Sequence, residues 1–175
     1  MTYSLSIPVD ETAIEFFQAS EGQWQSQRRY YTLKQDKTEE VVSHLTITYL
    51  QAGCDELQEL EAMHQLPEHV KMYGGTKVSW ESFYDSPSRK PSTGSTIFGA
   101  LGGLLYRDRG FATPKPIVAR FEFRDEFTMR LFTEYNQSVF EEGVKLVGEQ
   151  YRTRQTIISR AGEEQMIGQY LEKRL

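Results

Sequence analysis

Ile117-Val118-Ala119-Arg120-Phe121-Glu122-Phe123-Arg124, the turn pair Asp125-Glu126, and Phe127-Thr128-Met129-Arg130-Leu131-Phe132-Thr133-Glu134-Tyr135 form the stretch that decides the fold. Ile117, Ala119, Phe121 and Phe123 alternate with Val118, Arg120, Glu122 and Arg124. Phe127, Met129, Leu131, Thr133 and Tyr135 alternate in the same way with Thr128, Arg130, Phe132 and Glu134. A period of two puts one set of side chains on a core and the other in water, as in a half-buried strand. Two such runs joined by a short polar turn read as an antiparallel hairpin.

The pattern continues downstream. Ser138 to Val147, Tyr151 to Arg160 and Gln165 to Arg174 are further strand-length runs. Asn136-Gln137, Gly148-Glu149 and Ala161-Gly162 supply the turns between them. Ser138 to Glu149 also fits a helix, with Phe140, Val144 and Val147 on one side and Glu141, Glu142 and Lys145 exposed. A strand is preferred there because a closed antiparallel barrel needs one.

Upstream, Asp10 to Ser20 reads as a helix with Ala13, Phe16, Phe17 and Ser20 on one face. Asp10 or Thr12 is the expected cap, Thr12 and Glu15 have capping-box spacing, and Gly22 ends the helix. Gln23 to Leu33 is expected as a strand, Lys34 to Glu40 as a hairpin loop, and Val41 to Leu50 as a clearly alternating strand. Cys54 to Gln65, with Leu57, Leu60 and Met63 at helical spacing, is a second short helix before Pro67. Val78 to Tyr84 is a strand carrying Trp80, and Asp85 to Gly94 is the loop most expected to move. Ser95 to Arg107 holds Gly99, Gly102 and Gly103 but lacks the Gly-Lys-Ser/Thr end of a phosphate loop. It is expected as one bent strand whose glycines admit something bulky. The expected fold is therefore mainly β: an antiparallel meander of about ten strands, closed into a barrel to remove its edges, with two short helices. Residues 1–175 are expected to form a single domain.

Composition narrows the function. The chain has 25 acidic and 20 basic residues and a net charge of −5, which argues against a nucleic-acid binder. Cys54 is the only cysteine, so no disulfide forms within the chain, and a reducing compartment fits. No run is long and apolar enough for a membrane span, and the N-terminus lacks the basic and apolar regions of a signal peptide. A cytoplasmic protein with no membrane partner is expected. His44, His64 and His69 are not at ligand spacing with cysteines or carboxylates, so no metal site is expected. The 10 Tyr, 10 Phe and 2 Trp suit either a β core or a large flat ligand.

Charges sit where strands should be apolar. Phe140, Glu142, Val144 and Leu146 share one strand face. An isolated buried charge is costly, so Glu142 must pair with a cation or titrate abnormally. Arg152 and Arg154 lie two apart and so face the same side. Two adjacent guanidiniums need anions between them: Glu142 and Glu172, or the carboxylates of a ligand. Spacing leaves both a ligand site and an ion-pair ladder open.

Phe16-Phe17-x-x-Ser20-x-Gly22-x-Trp24-x-Ser26-Gln27-Arg28 resembles the opening signature of the CpcS/CpeS (S-type) phycobiliprotein lyases. Val78-Ser79-Trp80-Glu81, Glu141-Glu142, Arg152-x-Arg154 and the terminal Glu172-Lys173-Arg174-Leu175 are similar to later parts of the same family, in the same order. The resemblance implies a lipocalin-like or fatty-acid-binding-protein-like (calycin) barrel in a cyanobacterial cytosol or plastid stroma. It implies a lyase that binds an open-chain bilin such as phycocyanobilin non-covalently, as substrate, with no permanently bound cofactor. The bilin is then joined by a thioether to a cysteine of a phycobiliprotein subunit. Carried over by position, Arg28, Trp80, Arg152 and Arg154 bind the bilin, and Glu142 and Glu172 are the catalytic acids. Tyr30-Tyr31, Gln155-Thr156 and Phe83-Tyr84 stand where members of the family carry other residues. A homodimer and a heterodimer with a related lyase subunit both fit the family. The alternatives are a non-catalytic bilin carrier or lyase-complex partner, and a general small hydrophobic-ligand barrel of the fatty-acid type.

Overall fold

The computed structural model describes residues 9–111 and 113–175. The stretch on which the absence of a signal peptide was judged lies largely outside the described residues. Among these residues the chain runs α1 (Val9–Ser20), β1 (Gly22–Thr32), β2 (Lys37–Gln51), α2 (Asp55–Met63), β3 (Gly74–Tyr84), β4 (Ser92–Leu101), β5 (Leu104–Arg107), β6 (Ile117–Asp125), β7 (Thr128–Tyr135), β8 (Ser138–Val147), β9 (Tyr151–Arg160) and β10 (Glu163–Arg174). Every strand pairs antiparallel with its neighbours in sequence, and β10 pairs with β1 to close the barrel. Closure leaves no unpaired edge.

Each strand alternates as its sequence dictates. In β2, Val41, Ser43, Leu45 and Ile47 are buried while Val42, His44, Thr46 and Thr48 face out. In β6 and β7 the inward side chains are Ala119, Phe121, Met129, Leu131 and Thr133. β8 is a strand and not a helix: Phe140, Val144 and Leu146 are buried along one face. The turns at Asn136-Gln137 and Ala161-Gly162 have positive φ at both central residues, the backbone twist that antiparallel hairpins favour.

Several expectations need correction. The loop after β1 is shorter than expected, because Lys37 to Glu40 already pair with β1. β3 begins at Gly74, earlier than Val78. Gly102 and Gly103, at φ +63° and +75°, form a hairpin turn between β4 and β5, so the glycine-rich run is two strands rather than one bent strand. Its remaining glycine, Gly99, does admit something bulky, as does Gly75 on β3, but the bulk belongs to the chain itself. A Cβ on Gly99 would strike Met72, Leu60 and Leu57, and one on Gly75 would strike Leu57 and the Phe98 carbonyl. These glycines let α2 and Met72 lie against the outside of β3 and β4, in a satellite core separate from the barrel interior.

Asp10 and Thr12 lie within α1 and do not begin it. The Asp10 carboxylate instead accepts the backbone N–H groups of Gly102 at 2.6 Å and Gly103 at 3.0 Å, tying α1 to the β4–β5 turn. At the other end of the helix, Trp24 donates its indole N–H to the Ser20 carbonyl at 2.9 Å. Arg174 donates to the carbonyls of Ala19 and Glu21, where a cation suits the end of a helix. Held at both ends, α1 presses Ala13, Phe16 and Phe17 into the barrel core beside Leu105, Ala119 and Phe121. The helix thus floors one end of the barrel. Because two charge-assisted hydrogen bonds in a buried place would be lost, Asp10→Ala is expected to cost about 1–3 kcal/mol. Denaturant unfolding measures this, and an unchanged midpoint would contradict it.

Candidate functional site

Above the α1 floor the barrel encloses a cavity of about 620 Å³, within the roughly 300–1,000 Å³ usual for small-molecule sites. Its floor and part of its wall are apolar: Phe16, Phe17, Ile47, Leu105, Met129 and Val144. The rest mixes hydroxyl and aromatic side chains with many cations. Arg28, Lys37, Arg89, Arg107, Arg109, Arg152 and Arg154 line it, against only Glu39 and Glu142. Seven cations and two carboxylates line the cavity of a chain whose net charge is −5, an excess of positive charge that suits an anion with apolar bulk.

Strand register sets the polar wall. The rows across β1, β10, β9 and β8 read Ser26–Glu172–Arg152–Leu146, then Arg28–Tyr170–Arg154–Val144, then Tyr30–Gly168–Thr156–Glu142. Arg152 therefore lies directly beside Glu172 and donates from Nε to Oε1 at 2.8 Å, with both groups buried. The Trp24 ring lies 5.3 Å from this guanidinium and 4.2 Å from that of Arg174. Burial alone would raise the Glu172 pKa. The guanidiniums of Arg152 and Arg154 outweigh it and hold the carboxyl below the usual carboxylate range. Burial also lowers the pKa of Arg152, without bringing a guanidinium near neutrality at ordinary pH.

One row on, Tyr170 stands between Arg28 and Arg154, whose guanidiniums lie 5.4 Å and 4.8 Å from its ring. Burial pushes its phenol well above the ordinary tyrosine value. Arg28 also donates to the Ser26 hydroxyl at 3.2 Å. The register puts Glu142 opposite Thr156 and away from Arg152. Its carboxylate sits between two other guanidiniums, 3.7 Å from Arg107 and 3.8 Å from Arg154. Arg107 comes from β5, three strands away around the barrel, and packs over the Phe98 ring at 4.6 Å.

Trp80 faces Gly94 across β3 and β4, and Arg109 lies 5.3 Å from its ring. A Cβ on Gly94 would run into the indole. Gly94→Val is therefore expected to displace Trp80, cost about 1–3 kcal/mol and shift the tryptophan emission. An unchanged spectrum would contradict this, since Trp24 is fully buried elsewhere and would report no move.

The structure thus brings Arg28, Trp80, Glu142, Arg152 and Arg154 into the lining of one cavity, with Glu172 buried beside Arg152. Sequence reasoning missed Arg107 and Arg109. The inward position of Arg107 was available in its alternation with Leu105, but the glycines just before it obscured the strand. Cys54 stands at the start of α2, outside the barrel, and does not line the cavity. Among the described residues no group of three or more His, Cys, Asp and Glu is placed to hold a metal ion, and no helix is long and apolar enough to cross a membrane.

Comparison with known proteins bears on the family and the fold. The chain is 58% identical over 168 residues to "Putative phycocyanobilin lyase CpcS 2" of Nostoc sp., covering 95% of this chain and 93% of that one. It is 31% identical over 158 residues to "Chromophore lyase CpcS/CpeS 2" of Trichodesmium erythraeum, covering 86% and 80%. The solved structure of the S-type phycobiliprotein lyase CPES from Guillardia theta superimposes with a TM-score of 0.78 at 25% identity, covering 93% of this chain and 92% of that one. The family model described as CpeS-like protein matches residues 12–175, and the chain belongs to that family.

Proposed function

We propose that this chain is a bilin lyase: it binds an open-chain tetrapyrrole of the phycocyanobilin type in its barrel and attaches it to a cysteine of a phycobiliprotein subunit. The observation that carries this reading is the cavity, which joins an apolar floor to a wall of guanidiniums. A bilin has the matching form, apolar pyrroles with two propionates. The relatives named as chromophore lyases support the reaction class. The bilin is substrate and no cofactor is bound permanently. Residues 1–175 act as one domain in the cytosol or stroma, as a homodimer or beside a related lyase subunit.

The reaction is an addition. The acceptor's thiolate forms a carbon–sulfur bond to the exocyclic ethylidene carbon of the bilin, and a proton is delivered to the conjugated system, so no group leaves. The lyase supplies three things. The apolar floor and Trp80 hold the ring system extended, which limits reaction in the wrong geometry. Arg154 and Arg28, both on the cavity wall, hold propionate charge. Glu142 is the carboxyl on the wall that handles the proton. Arg152 and Glu172 neutralise each other beneath them and fix the wall. The thiol comes from the acceptor, in keeping with a cavity wall without cysteine.

The test mixes the protein with phycocyanobilin and an apo-phycobiliprotein subunit, then denatures in acid urea. Pigment bound covalently to the acceptor and released from this chain supports the reading. Binding without transfer would make the chain a carrier, and no binding would end the bilin reading.

A further inference from the structure

Arg107 is the least satisfied cation on the cavity wall. Its residue is only 9% exposed, and its Nε is buried with no hydrogen-bond partner. Its ion pair with Glu142 is 3.7 Å long, beyond hydrogen-bond length. Glu142 is equally loose towards Arg154, at 3.8 Å. The neighbouring acid, Asp108, spends its Oδ1 on the Thr96 hydroxyl at 2.8 Å and the Ile97 N–H at 3.0 Å, and makes no ion pair within 4 Å with Arg107 among the described residues. Arg152, by contrast, is bound to Glu172, and Arg28 donates to Ser26. One carboxylate is thus shared between two guanidiniums and fully bonded to neither. A guanidinium fork is shaped to give two parallel hydrogen bonds to one carboxylate.

Building on the bilin reading, we infer that Arg107 is a specificity-determining residue that binds one propionate of the bilin together with Arg154, and that Glu142 holds the position this carboxylate takes. Arrival of the propionate displaces Glu142 from its two cations. A carboxylate that loses cationic neighbours binds a proton more readily. Charge recognition and proton handling are then one event: only a ligand with an acid group in the right place frees Glu142 for the pyrrole nitrogens.

The test compares phycocyanobilin with its dimethyl ester, which keeps the rings and removes the charge. Each is titrated by absorbance into the full-length wild-type, Arg107→Gln and Glu142→Gln proteins. The wild type is expected to prefer the acid by tenfold or more. Arg107→Gln should reduce that preference at least severalfold, with affinity for the ester little changed. Glu142→Gln should widen it, because the competing carboxylate is gone. An acid-to-ester ratio in Arg107→Gln equal to the wild-type ratio overturns the inference while leaving the bilin reading intact. Binding of neither form by the wild type overturns both. If Arg107→Gln does not fold, Glu142→Gln decides: a widened preference supports the inference and an unchanged one overturns it.

Discussion

Glu172→Gln is expected to lower stability by about 3–5 kcal/mol, because it leaves the Arg152 guanidinium buried without its counter-charge. Arg152 is 6% exposed and Glu172 is 0% exposed, so water cannot replace the lost partner. Glutamine keeps the shape and still accepts a hydrogen bond, so the loss measures charge. For a chain of this length the melting temperature should fall by roughly 6–20 °C. The pH dependence has a definite sign. The native Glu172 pKa lies below the ordinary 4.5, so the folded state favours the ionised form. The stability this contributes is fully present above about 4.5 and is lost as the pH falls through the depressed native value. The glutamine variant should lack that part of the acid limb. Replacing the pair together, as Arg152→Met with Glu172→Leu, should recover much of the loss, since apolar substitutes often match a buried ion pair. A wild-type melting point and acid limb in Glu172→Gln would show that the pair does not hold the wall. A folded Glu172→Gln that binds bilin but fails to transfer it would restore Glu172 as a catalytic acid.

The pair also shows what a sequence carries and what it omits. From Ile117 onward, period-two alternation and two-residue turns placed each strand to within about two residues, because each strand has one dry face and short turns allow little slack. α1 was legible for the same reason: Ala13, Phe16, Phe17 and Ser20 form one face, and all four are buried. The glycine-rich run was not legible. Glycine suits a bent strand, a close helix contact and a positive-φ turn alike, and Gly99, Gly102 and Gly103 divide between the last two.

The inward direction of Glu142, Arg152, Arg154 and Glu172 followed from alternation, but their pairing did not. Partners across strands depend on register, which turn geometry sets. Arg152 faces Glu172 because β9 and β10 meet at that register, and Glu142 falls two rows away, opposite Thr156. Arg107 reaches Glu142 across the lumen from a strand far away around the barrel. Only closure brings these two together, so no spacing within the sequence encodes the contact. The site's membership was largely legible, and its division into a fixed pair and a loose cluster was not.

That division leads to the expectation for Glu142→Gln, which should keep bilin binding and lower the rate of transfer to the acceptor by roughly 10²–10⁴-fold. Glu142 lines the cavity and its contacts are long, whereas Glu172 lies buried beside Arg152, held ionised by two guanidiniums and out of reach of a ligand. Of the two acids, Glu142 alone combines access to the bilin with freedom to change partners. Glutamine preserves its size and a carbonyl that can face Arg107 and Arg154 but has no proton to exchange. The measurement is single-turnover transfer from the preformed complex to apo-subunit, with a melting curve to confirm the fold and a titration to confirm binding. Because binding is scored separately, a loss of rate at full occupancy isolates the chemical step. If transfer stays normal in both Glu142→Gln and Glu172→Gln while the complexes form, neither carboxyl acts as the acid. The barrel would then serve by orientation alone, holding the bilin extended while the acceptor's own residues complete the addition.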